Sequence, residues 1–504
     1  MASGNWRPTR RKLIKAGAAG AAAGAVAATP AQAARRRHTK RTRSRRTVDV
    51  VVAGGGIAGL TAARKVAAAG KSVVVMEARN RVGGRTLNHD IGGGKVADLG
   101  GTFIGPTQNH VAALVKELGI GTFPTYFQGD NVSVDRQGNA MQYPTNTPYG
   151  TAPPDPRTAA DVAAVVERLD LMAQGMDVNA PWNHPNAEEW DRQTLDTWVR
   201  SNSSGSDDFM ALVSAATEPI FGTEPKEISL LYTLFYIASS GDEQNQGTFE
   251  RNFDTTGGAQ ETRIEGGAQL ISIQMAQQLG KSVLLNAPVR RIDQGRFGVR
   301  VWTDKYYVTG KRVIVAMPPT LAGRIVYHGG MTSARDQLMQ HIPQGTLRKF
   351  EAIYDKPFWR DKGLTGQAVG DIGPIKVTFD ASPKDGSPGV ILGFIGGREA
   401  RYWATQPAEK RKNAALANLK SYFGDEALKP VNIVEFDWAA ETYSRGCPVG
   451  VLPPGVLTEF GPALRDPVGR IHWAGTETSN FWCGYMDGAV RSGERTAAEA
   501  LAAL

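Results

Sequence analysis

Cysteine is almost missing from this sequence. Cys447 and Cys483 are the two in 504 residues, too few for a disulfide framework, and neither lies in a metal-ligand spacing. The seven histidines are scattered with no HxxxH pair, so no metal site is expected. Acids are absent from residues 1–46, which hold thirteen of the 58 Lys and Arg. The remaining chain sets 45 basic against 49 acidic residues, about −4 in place of the overall +9. The basic character belongs to the leader, and the body gives no case for nucleic-acid binding. What is present is a soluble, globular composition, 41% hydrophobic and 21% charged, long enough for two domains.

The leader reads as an export signal. TRRKLIK (Thr9 to Lys15) precedes an Ala/Gly run from Ala16 to Ala28, then Ala31-Gln32-Ala33 in the A-x-A cleavage pattern. The run is too short and too weakly hydrophobic to span a membrane. Paired arginines before it point to the twin-arginine export machinery, which carries folded proteins. Residues 1–33 are then a signal peptide, and the protein is exported to the periplasm or outside the cell. A disordered basic tail is the other reading. Residues 34–46, with eight basic residues from Arg35 on, read as a solvated linker.

The stretch VDVVVAGGGIAGLTAARKVAAAGKSVVVMEARNRVGGRT, residues 48–86, organises the body. Val48 to Ala53 is apolar except for Asp49, the pattern of a parallel strand buried on both faces. Gly54, Gly56 and Gly59 follow in GxGxxG spacing, then a helix from Leu60 to Ala69 stopped by Gly70, and a strand from Ser72 to Met76 ending in Glu77. The glycines allow a tight turn and close approach of a pyrophosphate, whose charge sits on the helix N-terminus. Glu77, eighteen residues past the third glycine, would accept ribose hydroxyls. NAD and FAD both fit this unit.

The tail RVGGRT separates them. It resembles the second glycine pair of FAD-dependent amine oxidases, and the likeness is nearest to the flavin-dependent monoamine oxidases. It implies an α/β fold, a Rossmann-like FAD-binding domain interleaved with a substrate-binding domain of mixed α and β elements. The expected boundaries are 47–122, 265–338 and 440–504 for the FAD domain, and 123–264 and 339–439 for the substrate domain. FAD contacts are expected from Gly54, Gly56, Ile57, Ala58, Gly59, Glu77, Ala78, Arg79, Gly84 and Arg85 in the first unit. DLGGTFIG adds Gly100, Gly101 and Thr102, and PVRRIDQ adds Val289, touching the adenine through its backbone. IHWAGTETSNFWCGYMDG adds Gly475, Thr476, Glu477, Gly484, Tyr485 and Met486. Membrane-anchored relatives carry an apolar C-terminal helix; this chain ends at Leu504 without one, and a soluble protein is expected.

The resemblance also implies the chemistry: oxidation of a primary or secondary amine by oxygen to imine and aldehyde, ammonia and hydrogen peroxide. The amine reacts as its neutral base, so aromatic faces suit the site better than a charged acid. Tyr485 matches one of the family's two facing rings. The position of the second, after Cys447, is Pro448, so Trp482, Trp438 or an aliphatic wall must supply that face. Lys349, in GTLRKFEAIYDKPFW, matches the lysine that holds a water against the flavin's reactive nitrogen. Cys447 matches the cysteine that bonds the flavin's 8α-methyl, and Trp438 a ring that packs on the flavin. A disulfide between Cys447 and Cys483 is the alternative use of the thiol. Gln260 matches a polar residue of the substrate cavity, and Phe253 and Ile220 the positions dividing entrance from inner cavity. Competing readings are a dehydrogenase with a protein electron acceptor, an amino-acid or polyamine oxidase, and a non-catalytic FAD-binding protein. A homodimer is compatible with all of them.

Overall fold

Uninterrupted valine builds the first sheet. Val50, Val51 and Val52 have no exposed surface, as a strand covered on both faces requires. The computed structural model describes residues 44–147 and 151–504; the expected signal peptide and residues 34–43 of the expected linker lie outside them. Strand Ser44–Ala53 runs parallel to Val73–Met76 on one side and Tyr306–Ala316 on the other. Val283–Leu284 and Ile471–Ala474 complete a parallel core. Gly298–Thr303, Val289–Gly295 and Val326–His328 extend it to eight strands.

One expectation is corrected here. Residues 44–46 belong to the first strand, paired with Tyr306, Tyr307 and Val308, because ladder hydrogen bonds are indifferent to side-chain charge. Tyr306–Ala316 is a single strand of eleven residues. Its outer edge changes partner: residues 307–310 pair with Gly298–Thr303, and residues 313–316 with Ile471–Ala474. The break in the apolar pattern at Gly310 and Lys311 marks that changeover.

Helix Ile57–Ala68 and the C-terminal helix Met486–Ala502 share one apolar cluster over this sheet. The second sheet has seven strands, in the order Asn432–Asp437, Leu347–Tyr354, Gly389–Gly396, Val377–Asp380, Leu364–Gly370, Asp130–Val134 and Ala140–Pro144. All its pairs are antiparallel except Leu364–Gly370 with Asp130–Val134. Helices Ala159–Ala173, Leu195–Ser201, Asp207–Phe221 and Leu230–Ser239 form a third body of core. Thr194 caps Leu195–Ser201 as its sequence position predicts, its hydroxyl accepting from Thr197 N at 3.1 Å. Among the described residues no helix is long and apolar enough to cross a membrane. No cluster of three or more His, Cys, Asp or Glu among them could hold a metal ion.

Candidate active site

The carboxyl ends of the parallel strands open into a cavity of about 540 Å³ lined from the glycine turn to the helical layer. Gly54 has φ +117°, and a Cβ there would lie 2.3 Å from the Ala316 carbonyl oxygen. At Gly59 a Cβ would lie 2.1 Å from the Gly54 oxygen, so the turn closes only with glycine at both places. Gly56 caps helix Ile57–Ala68 without a side chain, leaving first-turn N–H groups for an anion. Glu77 is buried, and its carboxylate accepts from Gly55 N at 2.7 Å and Arg79 N at 2.9 Å. Arg79 Nη1 adds a longer bond at 3.4 Å; a carboxylate offers about four acceptor positions, so about one remains for a hydroxyl.

Arg79 donates to Ser444 Oγ at 2.8 Å. Arg85 grips Glu477 with both Nη atoms, at 2.5 and 3.0 Å, and donates to the Pro448 carbonyl at 2.7 Å. Burial alone would raise the Glu477 carboxyl; the charge and hydrogen bonds of Arg85 outweigh it and leave the pKa below the ordinary value.

Lys349 comes from the other sheet. Its strand, Leu347–Tyr354, carries Nζ to the Asp98 carbonyl, to Gly100 O at 2.9 Å and to Thr102 Oγ1 at 2.7 Å. All three protons of an ammonium are thereby used on the protein. Burial lowers this amine's pKa, with Glu351 and Asp98 acting against it. Trp438 is fully buried, its Nε1 donating to Leu99 O at 2.7 Å, and it shares a small apolar cluster with Leu347 and Cys447. Burial pushes the Cys447 thiol up to about 12, Arg85 and Lys349 pulling the other way. Both cysteines are free thiols, so the disulfide alternative is not formed; Cys483 instead lies 3.8 Å from the Tyr232 hydroxyl.

At the helical end Tyr485 donates its hydroxyl to Asn252 O at 2.8 Å, and its ring sits 5.8 Å from that of Tyr236. Ile220, Phe253 and Gln260 line the same space. Within residues 151–260 the lining is mostly apolar and aromatic, with Thr151, Thr217, Asn252 and Gln260 as neutral polar members, Glu250 as its one carboxylate and no Lys or Arg.

Every expected site residue lines the cavity except three. Gly59 lies beneath Gly54, where its lack of a Cβ shapes the turn. Glu477 is spent on Arg85 and on Gly450 N at 3.2 Å, so it holds a wall residue and is not one itself. Trp482 donates Nε1 to Thr107 Oγ1 at 3.1 Å and packs edge-on against Tyr485 at 4.8 Å. It buttresses that ring and supplies no second face; Pro448, Phe394 and Trp438 line the cavity instead. Tyr236, Met317, Pro318 and Ser444 also line it and were not expected. Met317 and Pro318 follow a buried strand, where the carboxyl-end rule would have found them. Tyr236 gave no signal, because helix Leu230–Ser239 is buried on every side and has no distinguishable face.

The sequence profile of the flavin-containing amine oxidoreductases matches residues 57–501. The chain belongs to that family. This flavin-containing amine oxidoreductase is 43% identical over 461 residues to a Mycobacterium tuberculosis protein assigned as a flavin-containing monoamine oxidase, covering 91% of this chain and 97% of that one. It is 38% identical to the flavin-containing amine oxidase B of Sus scrofa, over 90% of this chain and 86% of that one. Wild-type putrescine oxidase bound to putrescine superposes with a TM-score of 0.86 at 32% identity, covering 91% of this chain and all of that one. Cyclohexylamine oxidase from Brevibacterium oxydans gives 0.82 at 33%, covering 90% and 98%. The cofactor is therefore a flavin, and the site fits it. The glycine turn, the bare helix start and the remaining acceptor position of Glu77 suit a ribose and pyrophosphate, and the Lys349–Trp438 wall suits a planar ring.

Proposed function

We propose that this oxidoreductase is an exported, FAD-dependent oxidase of primary or secondary amines, releasing imine, and hence aldehyde and ammonia, with hydrogen peroxide. The observation that carries the reading is the chamber beside Tyr485. The part of its lining that comes from residues 151–260 is mostly apolar and aromatic and holds no Lys or Arg, which disfavours a carboxylate-bearing amino acid there and suits an amine reacting as its neutral base. When bound, the flavin takes a hydrogen equivalent from the amine's α-carbon and passes the electrons to oxygen. The protein's part is to desolvate the amine, which lowers its pKa toward the neutral base, and to orient it against the Tyr485 ring. Tyr485 is held for this by Asn252 and by the edge of Trp482. Lys349, at the cavity wall, would act electrostatically beside the ring system.

In this reading the first sheet and its helices are the FAD-binding domain, and the second sheet with the helical layer binds substrate. A thioether from Cys447 to the flavin's 8α-methyl is part of the proposal, supported by Cys447 and Trp438 lining the same cavity; burial raises the thiol pKa, with Arg85 and Lys349 acting against it. Acid precipitation tests it: flavin released into the supernatant rules the thioether out. Residues 1–33 are read as a twin-arginine signal on sequence alone, and N-terminal sequencing of exported protein checks the cut after Ala33. A homodimer is tested by sedimentation. The deciding experiment is anaerobic titration with tyramine, phenethylamine, putrescine and a nicotine-like amine, watching flavin bleaching, followed by peroxide yield in air. Bleaching without peroxide would favour a dehydrogenase, and no bleaching by any amine would overturn the reading.

A further inference from the structure

Lys349 and Glu351 are two residues apart on strand Leu347–Tyr354, so they project from the same face of the sheet. Glu351 has no exposed surface, and neither carboxylate oxygen has a hydrogen-bond partner in the protein. Its strand neighbours across the sheet are apolar, Leu392 and Val434. The charged groups facing it are Lys349, with Nζ 3.9 Å from Oε1, and Asp98 and Arg263 from the elements packed against this face. Asp98 accepts from Ala268 N at 2.8 Å and from Arg263 at 3.4 Å, while Arg263 donates to Ser382 O at 2.6 Å. The Cys447 thiol is the remaining titratable group near Lys349.

A buried carboxyl that makes no hydrogen bond is costly, and an apolar residue would fit this sheet position better. Lys349 does not need it as an acceptor, because its three protons are already placed on Asp98 O, Gly100 O and Thr102 Oγ1. What Glu351 adds is charge. With Asp98 and Arg263 ionised, the cluster is neutral overall whether Lys349 and Glu351 are both charged or both uncharged. One proton can therefore sit on either group without changing the net charge of the dry interior.

We propose that Glu351 is a positioning residue for Lys349, its unbonded carboxyl setting whether the amine at the cavity wall is ammonium or free base, so that the two share one proton. Burial acts in the same sense on both, raising the acid and lowering the amine. The inference rests on Lys349 lying beside the flavin ring, and the test separates the two ideas. In the holoenzyme, the visible spectrum of the bound flavin is titrated against pH for wild type, K349M, E351Q and E351D. The expected result is a spectral step that disappears in K349M. In E351Q, where the negative charge is gone, it moves to lower pH by about one to three units. E351D restores part of the shift. Infrared difference spectra between low and high pH supply a readout independent of the flavin: a protonated-carboxyl band present in wild type and lost in E351Q supports the pair even where the flavin spectrum is silent. An E351Q midpoint equal to that of wild type, or no carboxyl band lost in E351Q, overturns it.

Discussion

Replacing Arg85 by Met tests the electrostatic joint behind the cofactor end of the cavity. The substitution keeps an aliphatic stem but leaves Glu477, whose side chain is 1% exposed, without the guanidinium that holds it at 2.5 and 3.0 Å. Removing one partner of a buried pair costs about 3–5 kcal/mol. Unfolding entropy for a fold of roughly 460 residues is about 1 kcal/mol/K, so the melting temperature should fall by about 3–5 °C. The pH dependence carries the sharper test. In the wild type the Glu477 pKa is depressed, so its contribution is fully present above the unfolded carboxyl value of about 4.3 and is lost as pH falls through the folded value. In R85M only backbone hydrogen bonds, that of Gly450 N among them, oppose burial, and the folded pKa rises, so stability is lost as pH climbs above about 4.3. The gap between the two proteins should widen from pH 5 to pH 8. E477Q alone should cost less, since Arg85 is 21% exposed and keeps the Pro448 carbonyl. The double variant R85M/E477Q should recover most of the loss, with no charge left unpaired. Thermal unfolding at several flavin concentrations separates the pair from cofactor binding. Parallel pH profiles for R85M and wild type, or a double variant no better than R85M, would refute the argument.

Gly54→Ala places a Cβ against the Ala316 oxygen in a backbone region hostile to side chains, and should give colourless protein when purified and scanned in the visible range. Tyr485→Phe removes the bond to Asn252 O, costing about 1 kcal/mol of stability in denaturation while keeping most of kcat/KM. Tyr485→Leu, which removes the ring, should lower kcat/KM about tenfold or more, on the scale of 1.4 kcal/mol per decade. Glu250→Gln should reduce kcat/KM for a diamine such as putrescine more than for phenethylamine, because Glu250 is the chamber's one carboxylate; equal loss for both would refute that. Thr102→Val removes an acceptor from Lys349 and should cost about 1.5–3 kcal/mol by thermal or chemical unfolding, the range for hydrogen bonds to charged groups.

The cofactor end was legible because its demands are local. A strand buried on both faces, a turn closed only by glycine and a carboxylate at the next strand end are each written in a few consecutive residues, and Gly54, Gly56 and Glu77 line the cavity as expected. The substrate end was less legible because its walls come from helices that are apolar all round. Nothing in LLYTLFYIAS distinguishes Tyr236 from its buried neighbours, and only tertiary packing turns it toward Tyr485. Trp482 misled for the converse reason: an aromatic residue three positions from Tyr485 passes for a cavity wall. In the structure its main chain donates to Ser239 O at 2.6 Å and its indole turns away to Thr107. Lys349 was located by its motif, but its three bonds to Asp98, Gly100 and Thr102 depend on a contact between sheets that sequence spacing does not encode.

That contact explains why ionic groups are tolerated between two sheets. On strand Leu347–Tyr354 the alternation sends Arg348 to one face, where Glu435 meets it at 3.0 Å, and Lys349 and Glu351 to the other. On the first face Arg348 is shared between Glu435 and Asp437 of the sheet's outer strand. The second is buried, and a buried ionic cluster seldom stabilises a fold more than well-packed apolar residues would. Lys349, Glu351, Asp98 and Arg263 are therefore poorly explained as structural cement. They are better explained by the wall they stand behind: a lysine can be kept at the wall of a dry cavity only if acceptors for its protons and a countercharge are supplied from within. Here the protons go to the loop that follows strand Lys95–Asp98, and the countercharge is supplied by the strand that carries the lysine itself.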